Sequence, residues 1–121
     1  MPLVTSKGML LDAQKRNYAV GAFNANNLEM AQGIIRAAED ENAPVIIMVS
    51  QGGINYGGIK ELASIVKTLA RNAGVPAALH LDHSTNYYYN VLALRIEFNP
   101  LMFDGTQKDD ETNINITKKV V

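Results

Sequence analysis

The sequence predicts an α/β protein in which about four parallel strands are covered by helices. Short apolar runs alternate with longer stretches whose apolar residues recur at the helical period. The predicted strands begin near residues 18, 45, 77 and 101, and their spacing of roughly 25–30 residues is typical of successive βα units. Alternation of this kind favours a parallel sheet with helices packed on it.

Five helices are expected around these strands, and the first half of the chain contains two of them. The first runs from Ser6 to about Arg16 and precedes a strand at Tyr18–Phe23. Asn26 is the predicted N-cap of the second helix, because Glu29 follows at the spacing of a capping box. The unbroken apolar run from Val45 to Val49 is typical of a parallel strand that is buried on both faces.

The second half of the chain repeats the pattern. The helical period holds from Ile59 to Ala73, after which Gly74 suits a left-handed C-terminal cap and Pro76 prevents continuation. The remaining elements are a strand at 77–82, a helix at 85–98, a strand that begins near 101 and a weaker helix at 110–121.

Length and composition fit one globular domain without an extreme charge. The chain has 121 residues, of which 47% are hydrophobic and 19% charged, and its formal net charge is −1. We expect a single domain over residues 1–121, because no linker or low-complexity tract divides it. The balanced charge argues against binding of nucleic acid or an anionic membrane. No signal-peptide pattern or bilayer-spanning apolar run is evident, so a cytoplasmic protein is expected.

Pattern alone leaves two architectures open. One is a small doubly wound sheet of four strands, and the other is part of an eight-fold βα barrel, which needs about 250 residues. In both, ligands bind at the carboxyl ends of the strands. Polar residues follow every predicted strand, so that this rim collects Asn24, Asn26, Asn27, Ser50, Gln51, Asp82, His83, Ser84, Thr85, Asp104 and Thr106.

The segment LHLDHS, residues 79–84, contains both histidines of the chain. His80 and Asp82 lie two residues apart and so share one face of a strand, whereas His83 turns toward the rim only if the strand has ended. A neutral imidazole is a common zinc ligand, and a neighbouring carboxylate can transfer protons. A hydrogen-bonded strand end without a metal explains the same residues. Because the sequence has no cysteine, zinc–thiolate sites and thiol nucleophiles are excluded.

Four glycines in the stretch SQGGINYGG, residues 50–58, resemble a phosphate cradle only superficially. Their spacing fits neither the P-loop nor the dinucleotide-binding fingerprint, and the lysine of a P-loop is missing. Simple turn glycines are the favoured interpretation.

Four stretches, taken together and in order, resemble the N-terminal half of the class II fructose-bisphosphate aldolases, which are zinc-dependent (β/α)8 barrels. They are YAVGAFNANNLEM, APVIIMVSQGG, VPAALHLDHST and MFDGT. The resemblance covers nearly the whole chain and implies the N-terminal half of a TIM barrel, with strands one to four. The implied reaction is the reversible cleavage of fructose 1,6-bisphosphate into dihydroxyacetone phosphate and glyceraldehyde 3-phosphate. Enzymes for tagatose 1,6-bisphosphate share these motifs, so the preferred ketose bisphosphate stays open.

The same resemblance implies roles for four residues. His83 matches a ligand of the catalytic zinc ion, and Asp82 matches the acid/base that moves a proton at the reacting carbon–carbon bond. Ser50 matches a residue that contacts the triose substrate. Asp104 matches a carboxylate that binds a second metal in some members.

Several positions depart from the family pattern. Ser84 lies where the family usually has a glycine, and the stretch RIEFNPLMF, residues 95–103, lies where it more often has a glycine-containing turn. Thr106-Gln107 replaces a common Ser-His pair. The family's two further zinc-binding histidines belong to its second half. We therefore expect a homo-oligomer, or a second chain that completes the barrel. The alternative is a half-barrel without catalytic activity that acts as an interaction or binding module.

Overall fold

A fully parallel sheet of four strands forms the centre of the structure, a computed structural model that describes residues 3–121. The strands pair in the order in which they follow one another along the chain. They are β1 (Gly21–Asn24), β2 (Val45–Ser50), β3 (Ala77–Ser84) and β4 (Leu101–Phe103).

Six helices accompany the sheet in the described residues, one more than the sequence predicts. They are α1 (Ser6–Arg16), α2 (Leu28–Asp40), α3 (Gln51–Gly57), α4 (Ile59–Asn72), α5 (Tyr87–Arg95) and α6 (Asp110–Val120). In residues 3–121, none of these helices has the length and apolar character that crossing a membrane requires.

The strand order decides between the two architectures. A doubly wound sheet reverses its strand order at a switch point, which distributes its helices over both faces. Here the order is sequential, and parallel crossovers are right-handed, so α2, α4 and α5 all lie on the same side of the sheet. Sequential winding of this kind is the winding of a (β/α)8 barrel. The predicted half-barrel is confirmed, and the doubly wound alternative is wrong.

The two faces of the sheet are packed differently. Odd-numbered residues of the central strands, such as Ile47 and Leu79, are buried against the helices in the larger apolar cluster. Even-numbered residues face the side that becomes the lumen of a barrel, where Ile46 and Ala78 form a smaller cluster with Met9 of α1. The main core therefore lies between sheet and helices, while the rim residues stand over the lumen side.

Two predicted boundaries near β1 are corrected by the structure. The first strand begins at Gly21 rather than Tyr18, because its register partner Val45 is the first residue of β2. The N-cap of α2 is Asn27, whose side chain accepts a hydrogen bond from the backbone N–H of Met30 at 2.9 Å. The predicted cap, Asn26, lies one residue outside the helix, and no described donor bonds its buried Oδ1.

The glycine-rich stretch after β2 is mostly helical, so the interpretation as simple turns is wrong for three of its four glycines. Ser50 caps α3 by accepting from the N–H of Gly53 at 3.2 Å. A Cβ atom at Gly53 would lie 2.7 Å from the Asn26 Oδ1 atom, so this helix packs closely on the loop after β1. Gly58 does form a turn, with a φ of 81° between α3 and α4.

Other predicted ends shift for local reasons. Gly74 is not the left-handed cap of α4, because Ala73 already leaves the helix in an extended conformation. The helix after β3 is shorter than predicted, since Asn86 caps it and Ile96 ends it. The turn that follows places Glu97 at a φ of 67°, where its carboxylate binds Lys67 at 2.9 Å and Arg71 at 3.0 Å.

Replacing Asn27 with alanine should lower the free energy of unfolding by about 1 kcal/mol, because α2 loses its N-cap hydrogen bond. Asn26→Ala is the matched control and should cost clearly less, since its side-chain oxygen has no described donor. Urea unfolding of both variants distinguishes the two caps. An equal or larger loss for Asn26→Ala would contradict the assigned N-cap.

Glu97 combines a left-handed backbone with two ion pairs, and two substitutions separate these effects. Glu97→Ala loses the ion pairs and keeps the backbone strain, whereas Glu97→Gly loses the ion pairs and relieves it. The glycine variant should therefore be more stable than the alanine variant by roughly 1 kcal/mol in thermal or urea unfolding. An alanine variant as stable as the glycine variant would show that the backbone is not strained there.

Candidate active site

A bulge in β3 places both Asp82 and His83 at the rim. Leu81 pairs with Leu101 and Ser84 pairs with Phe103, so two residues of β3 stand opposite the single residue Met102 of β4. His83 accommodates the bulge by adopting a φ of 48°, a left-handed conformation that is uncommon outside glycine.

The bulge has a direct consequence for side-chain direction. Ser84 is fully buried and has no positive φ, so the glycine expected from the family pattern is not required there. Asp82 and His83 are thereby freed from strict alternation, and the His83 Nε2 atom lies 3.9 Å from the Asp82 Oδ1 atom. The sequence predicts that His83 reaches the rim only if the strand has ended. In the structure a bulge, and not the end of the strand, brings it there.

Asp104 orients His83. The His83 Nδ1–H donates to the Asp104 Oδ2 atom at 2.7 Å, and the Thr106 backbone N–H and hydroxyl donate to Oδ1 at 3.0 and 2.7 Å. These bonds lower the pKa of Asp104 to about 2, the bond from His83 contributing most. The same bond, followed by the charge of Asp82, raises the pKa of His83. In the neutral ring the proton lies on Nδ1, where it bonds Asp104, so the lone pair is on Nε2.

His80 lies deeper and is fixed by the backbone of the neighbouring segment. Its Nδ1–H donates to the Pro100 carbonyl at 3.1 Å, and its Nε2 atom lies 3.7 Å from the Asp82 Oδ1 atom. Burial lowers the pKa of His80 below its ordinary value and outweighs the opposing hydrogen bond and the charge of Asp82. A neutral His80 therefore stands beside the Asp82 carboxylate.

Asp82 occupies the centre of this arrangement. One of its oxygens lies within 4 Å of the Nε2 atoms of both histidines, and its side chain is only 16% exposed. Its register partner on β2 is Ser50, which places the serine hydroxyl on the same edge of the sheet. Ser50 Oγ accepts the bond from Gly53, so its own hydrogen remains available to a ligand.

The donor set fits one metal-ligand position and does not fill a site. His83 presents an imidazole that is 60% exposed, and its other nitrogen is bonded to a carboxylate, as in many zinc-binding histidines. In residues 3–121, no group of three or more histidine, aspartate or glutamate side chains is arranged to hold a metal ion. A metal ion at His83 would need further ligands from outside the described part of this chain.

All four predicted site residues lie at the strand-end rim, and Asp82, His83 and Asp104 are brought into one network. Ser50 joins them through strand pairing. The sequence placed Thr106 at the rim but gave it no role, and in the structure it holds Asp104. The Pro100 carbonyl, which holds His80, was not among the predicted site groups. The Asp-x-Thr spacing is a recognisable Asx-turn signal, whereas nothing in the sequence indicates the register that brings Pro100 to His80.

The fold and the rim together define half of an eight-stranded βα barrel with a histidine–carboxylate site at the carboxyl ends of its strands. The family model described as fructose-bisphosphate aldolase class-II matches residues 4–121. The chain belongs to the class II fructose-bisphosphate aldolase family.

Curated relatives extend this result. A fructose-bisphosphate aldolase of Thermus caldophilus is 45% identical over 119 residues, which make up 98% of this chain and 39% of that protein. One from Staphylococcus epidermidis is 42% identical over 124 aligned positions, covering 100% of this chain and 43% of that protein. The chain thus spans about two fifths of the length of these relatives.

A solved structure agrees in fold. The YdjI aldolase from Escherichia coli superposes with a TM-score of 0.89 at 33% identity, and the match covers 98% of this chain and 46% of that one. The sheet and its helices are therefore arranged as in nearly half of an aldolase structure.

The His83–Asp104 pair predicts a shifted imidazole titration. By NMR, His83 should titrate above the ordinary histidine pKa of about 6.5, and Asp104→Asn should move it back toward that value.

The raised pKa of His83 stabilises the fold below about pH 6.5 and that stabilisation is lost as pH rises through the folded pKa. The lowered pKa of Asp104 stabilises the fold above about pH 4 and that stabilisation is lost toward pH 2.

Thr106→Val serves as the control for this titration. It removes one donor to Asp104 but leaves the carboxylate beside His83, so the histidine should keep most of its shift. A His83 pKa that is unchanged by Asp104→Asn would show that the hydrogen bond is absent in solution.

Proposed function

We propose that this chain supplies the acid/base, one metal ligand and one substrate contact of a class II aldolase site. The proposed reaction is the metal-dependent, reversible aldol cleavage of fructose 1,6-bisphosphate to dihydroxyacetone phosphate and glyceraldehyde 3-phosphate. The observation that supports it most strongly is the position of Asp82, a carboxylate held between two imidazoles at the carboxyl edge of the sheet. Family membership supports the class of reaction.

Asp82 is the proposed proton-transfer group. None of the described residues donates a hydrogen bond to it within 3.5 Å, so its oxygens are available to a substrate hydroxyl or carbon-bound proton. In the cleavage direction it takes the proton of the hydroxyl on the carbon that becomes the aldehyde. In the synthetic direction it returns a proton to that oxygen. His80, which burial keeps neutral, lies 3.7 Å from this carboxylate and adds no positive charge beside it.

His83 is the proposed metal ligand, through its Nε2 atom. Asp104 fixes the ring and selects the tautomer with the proton on Nδ1, which is the general role of a carboxylate behind a metal-binding histidine. A bound zinc ion would act as a Lewis acid on the substrate ketone and stabilise the enediolate. Both oxygens of Asp104 already accept hydrogen bonds, so its direct binding of a second metal stays a prediction.

Ser50 is the proposed contact to the triose part of the substrate. It stands beside Asp82 on the neighbouring strand and can donate its hydroxyl hydrogen to a ligand oxygen. Its position at the end of β2 is fixed by the cap it forms on α3, so the hydroxyl is oriented before any ligand binds.

A second candidate function is a half-barrel that binds a partner without catalysing a reaction. It is favoured by the lack of any three-ligand group in residues 3–121. In that case the histidine–carboxylate network stabilises the strand ends, and residues 1–121 act as one interaction domain.

Coupled assays on the purified chain with added zinc test the proposal. If neighbouring copies supply the missing ligands, fructose 1,6-bisphosphate cleavage should be measurable, and it should fall by on the order of 100-fold or more in Asp82→Asn, because general acid–base catalysis contributes about that much. Zinc binding, measured by calorimetry, should survive in Asp82→Asn and be lost in His83→Ala. This separation assigns the two residues to different roles.

Ser84→Ala is a suitable control, since it alters a buried hydroxyl of the same strand whose one hydrogen bond within residues 3–121 goes to the Asn86 carbonyl. It should retain activity if the variant folds, which circular dichroism checks. Activity that is equal in wild type and Asp82→Asn, or its complete absence in a chain that still binds zinc through His83, would favour the interaction module.

A further inference from the structure

His80 is the one ionisable side chain of residues 79–84 that has no role in the proposed reaction. It lies two residues before Asp82 and on the same face of β3, and 15% of its side chain is exposed. In the sheet it is the register partner of Met48, whereas Asp82 is the partner of Ser50. The imidazole of His80 therefore borders the groups that are proposed to touch the substrate.

Two residues of the turn before β4 hold His80 from both sides. The Asn99 N–H donates to the Leu79 carbonyl at 2.8 Å. The Pro100 carbonyl accepts from the Leu81 N–H at 3.2 Å and from the His80 Nδ1–H at 3.1 Å. Both lone pairs of this oxygen are thereby used. One dipeptide thus fixes the backbone on either side of His80 and the ring itself.

The turn is anchored independently by α4. Lys67 Nζ donates to the Ile96 carbonyl at 3.3 Å and to the Glu97 carboxylate at 2.9 Å. The lysine side chain is only 18% exposed, and Phe98 in the same turn is fully buried. The Pro100 carbonyl is therefore placed by contacts that do not involve the imidazole.

This carbonyl determines which nitrogen of His80 carries the proton. A carbonyl oxygen only accepts hydrogen bonds, so in the neutral ring the proton lies on Nδ1 and the lone pair on Nε2. In the other tautomer, two acceptors would face each other at 3.1 Å without a hydrogen between them. Burial, which lowers the pKa of His80, keeps the ring neutral.

The lone pair of His80 lies beside a second acceptor. Its Nε2 atom is 3.7 Å from the Asp82 Oδ1 atom, beyond hydrogen-bond distance, and within residues 3–121 neither atom receives a hydrogen bond. Two acceptors at this separation are satisfied together by two neighbouring hydroxyl groups, each of which donates one hydrogen. Within the described residues the pair belongs to no three-ligand metal group.

We propose that His80 is a substrate-binding residue whose Nε2 atom accepts a hydrogen bond from a ligand hydroxyl next to the one that Asp82 deprotonates. The ligand class is a polyhydroxylated chain with hydroxyl groups on neighbouring carbons. The carboxylate takes a proton, while the neutral imidazole holds the second hydroxyl in place. This role rests on the proposed function, because it adds a contact to the same substrate.

The pair also selects against other oxygens. A ligand carbonyl or phosphate oxygen at this position would meet two acceptors and no donor, which costs binding free energy. A hydroxyl meets neither penalty. His80 and Asp82 together therefore favour the hydroxyl-bearing carbons of a sugar phosphate over its phosphate or ketone end.

Nitrogen-15 NMR of the labelled 121-residue chain reads the tautomer directly, since protonated and lone-pair imidazole nitrogens resonate far apart. Without any ligand, His80 should carry its proton on Nδ1 and a lone pair on Nε2. A proton on Nε2 would overturn the proposal, and this result does not depend on whether the chain catalyses a reaction.

Titration with fructose 1,6-bisphosphate, without zinc, tests the contact. The His80 Nε2 resonance should move toward the hydrogen-bonded range, together with the backbone amides of Ser50 and Asp82. Sodium sulfate is the matched control, because it supplies an oxyanion without a hydroxyl, and it should leave Nε2 unchanged. If the two amides move and Nε2 does not, the role of His80 is wrong while the proposed function is supported. If none of the three moves, both are wrong.

Two substitutions separate the two ring nitrogens. In His80→Asn the amide NH₂ can still bond the Pro100 carbonyl, but no acceptor remains at the Nε2 position, whereas His80→Gln can place an amide oxygen there. His80→Asn should weaken fructose 1,6-bisphosphate binding by roughly three- to tenfold, the loss of one hydrogen bond, and His80→Gln should recover part of it. Equal losses in two variants that circular dichroism shows to be folded would contradict the acceptor role.

Discussion

Sequential parallel pairing of the four strands is the constraint on which the rest of the structure depends. Each strand is joined to the next by a right-handed crossover, so the covering helices collect on one face and all strand ends collect at one rim. Helix packing, the apolar core and the position of the polar side chains follow from this winding. The lumen side is left with a small cluster around Ile46, Ala78 and Met9.

Backbone geometry determines where the functional side chains of the rim lie. Asp82 is positioned by ordinary strand pairing beside Ser50, while His83 depends on one left-handed residue in a bulge. Asp104 then fixes the exposed ring, and Thr106 fixes Asp104. The exposed imidazole of His83 is therefore oriented by a chain of hydrogen bonds that begins in the turn after β4.

Elements with a strong local signal were predictable from the sequence. The run from Val45 to Val49 and the periodic stretch after Ile59 gave a strand and a helix nearly at their true bounds, because burial there is regular. The start of β1 was misplaced because strand length depends on the partner, and the α2 cap was shifted from Asn27 to Asn26 because two neighbouring asparagines satisfy the same local rule.

The candidate site, too, was only partly predictable from the sequence. The residue types at the strand ends were visible in the sequence, and family resemblance supplied the roles assigned to Asp82, His83, Ser50 and Asp104. The hydrogen bonds that organise them were not predictable. They depend on the offset between β3 and β4, which brings Asp104 to His83 and the Pro100 carbonyl to His80 over separations of about 20 residues. Pairing offsets of this kind are tertiary properties without a local sequence signal.

The bulge at His83 also determines which kinds of mutation can remodel this rim. A substitution changes one side chain and leaves the others where they are, but a single-residue deletion at this point would restore strict alternation along β3. Ser84 would keep its partner Phe103 and its buried face, but the extra position that places both Asp82 and His83 at the rim would be lost, and with it the bond from His83 to Asp104. Over evolutionary time, insertion and deletion at this position are therefore the changes that create or abolish the arrangement in one step.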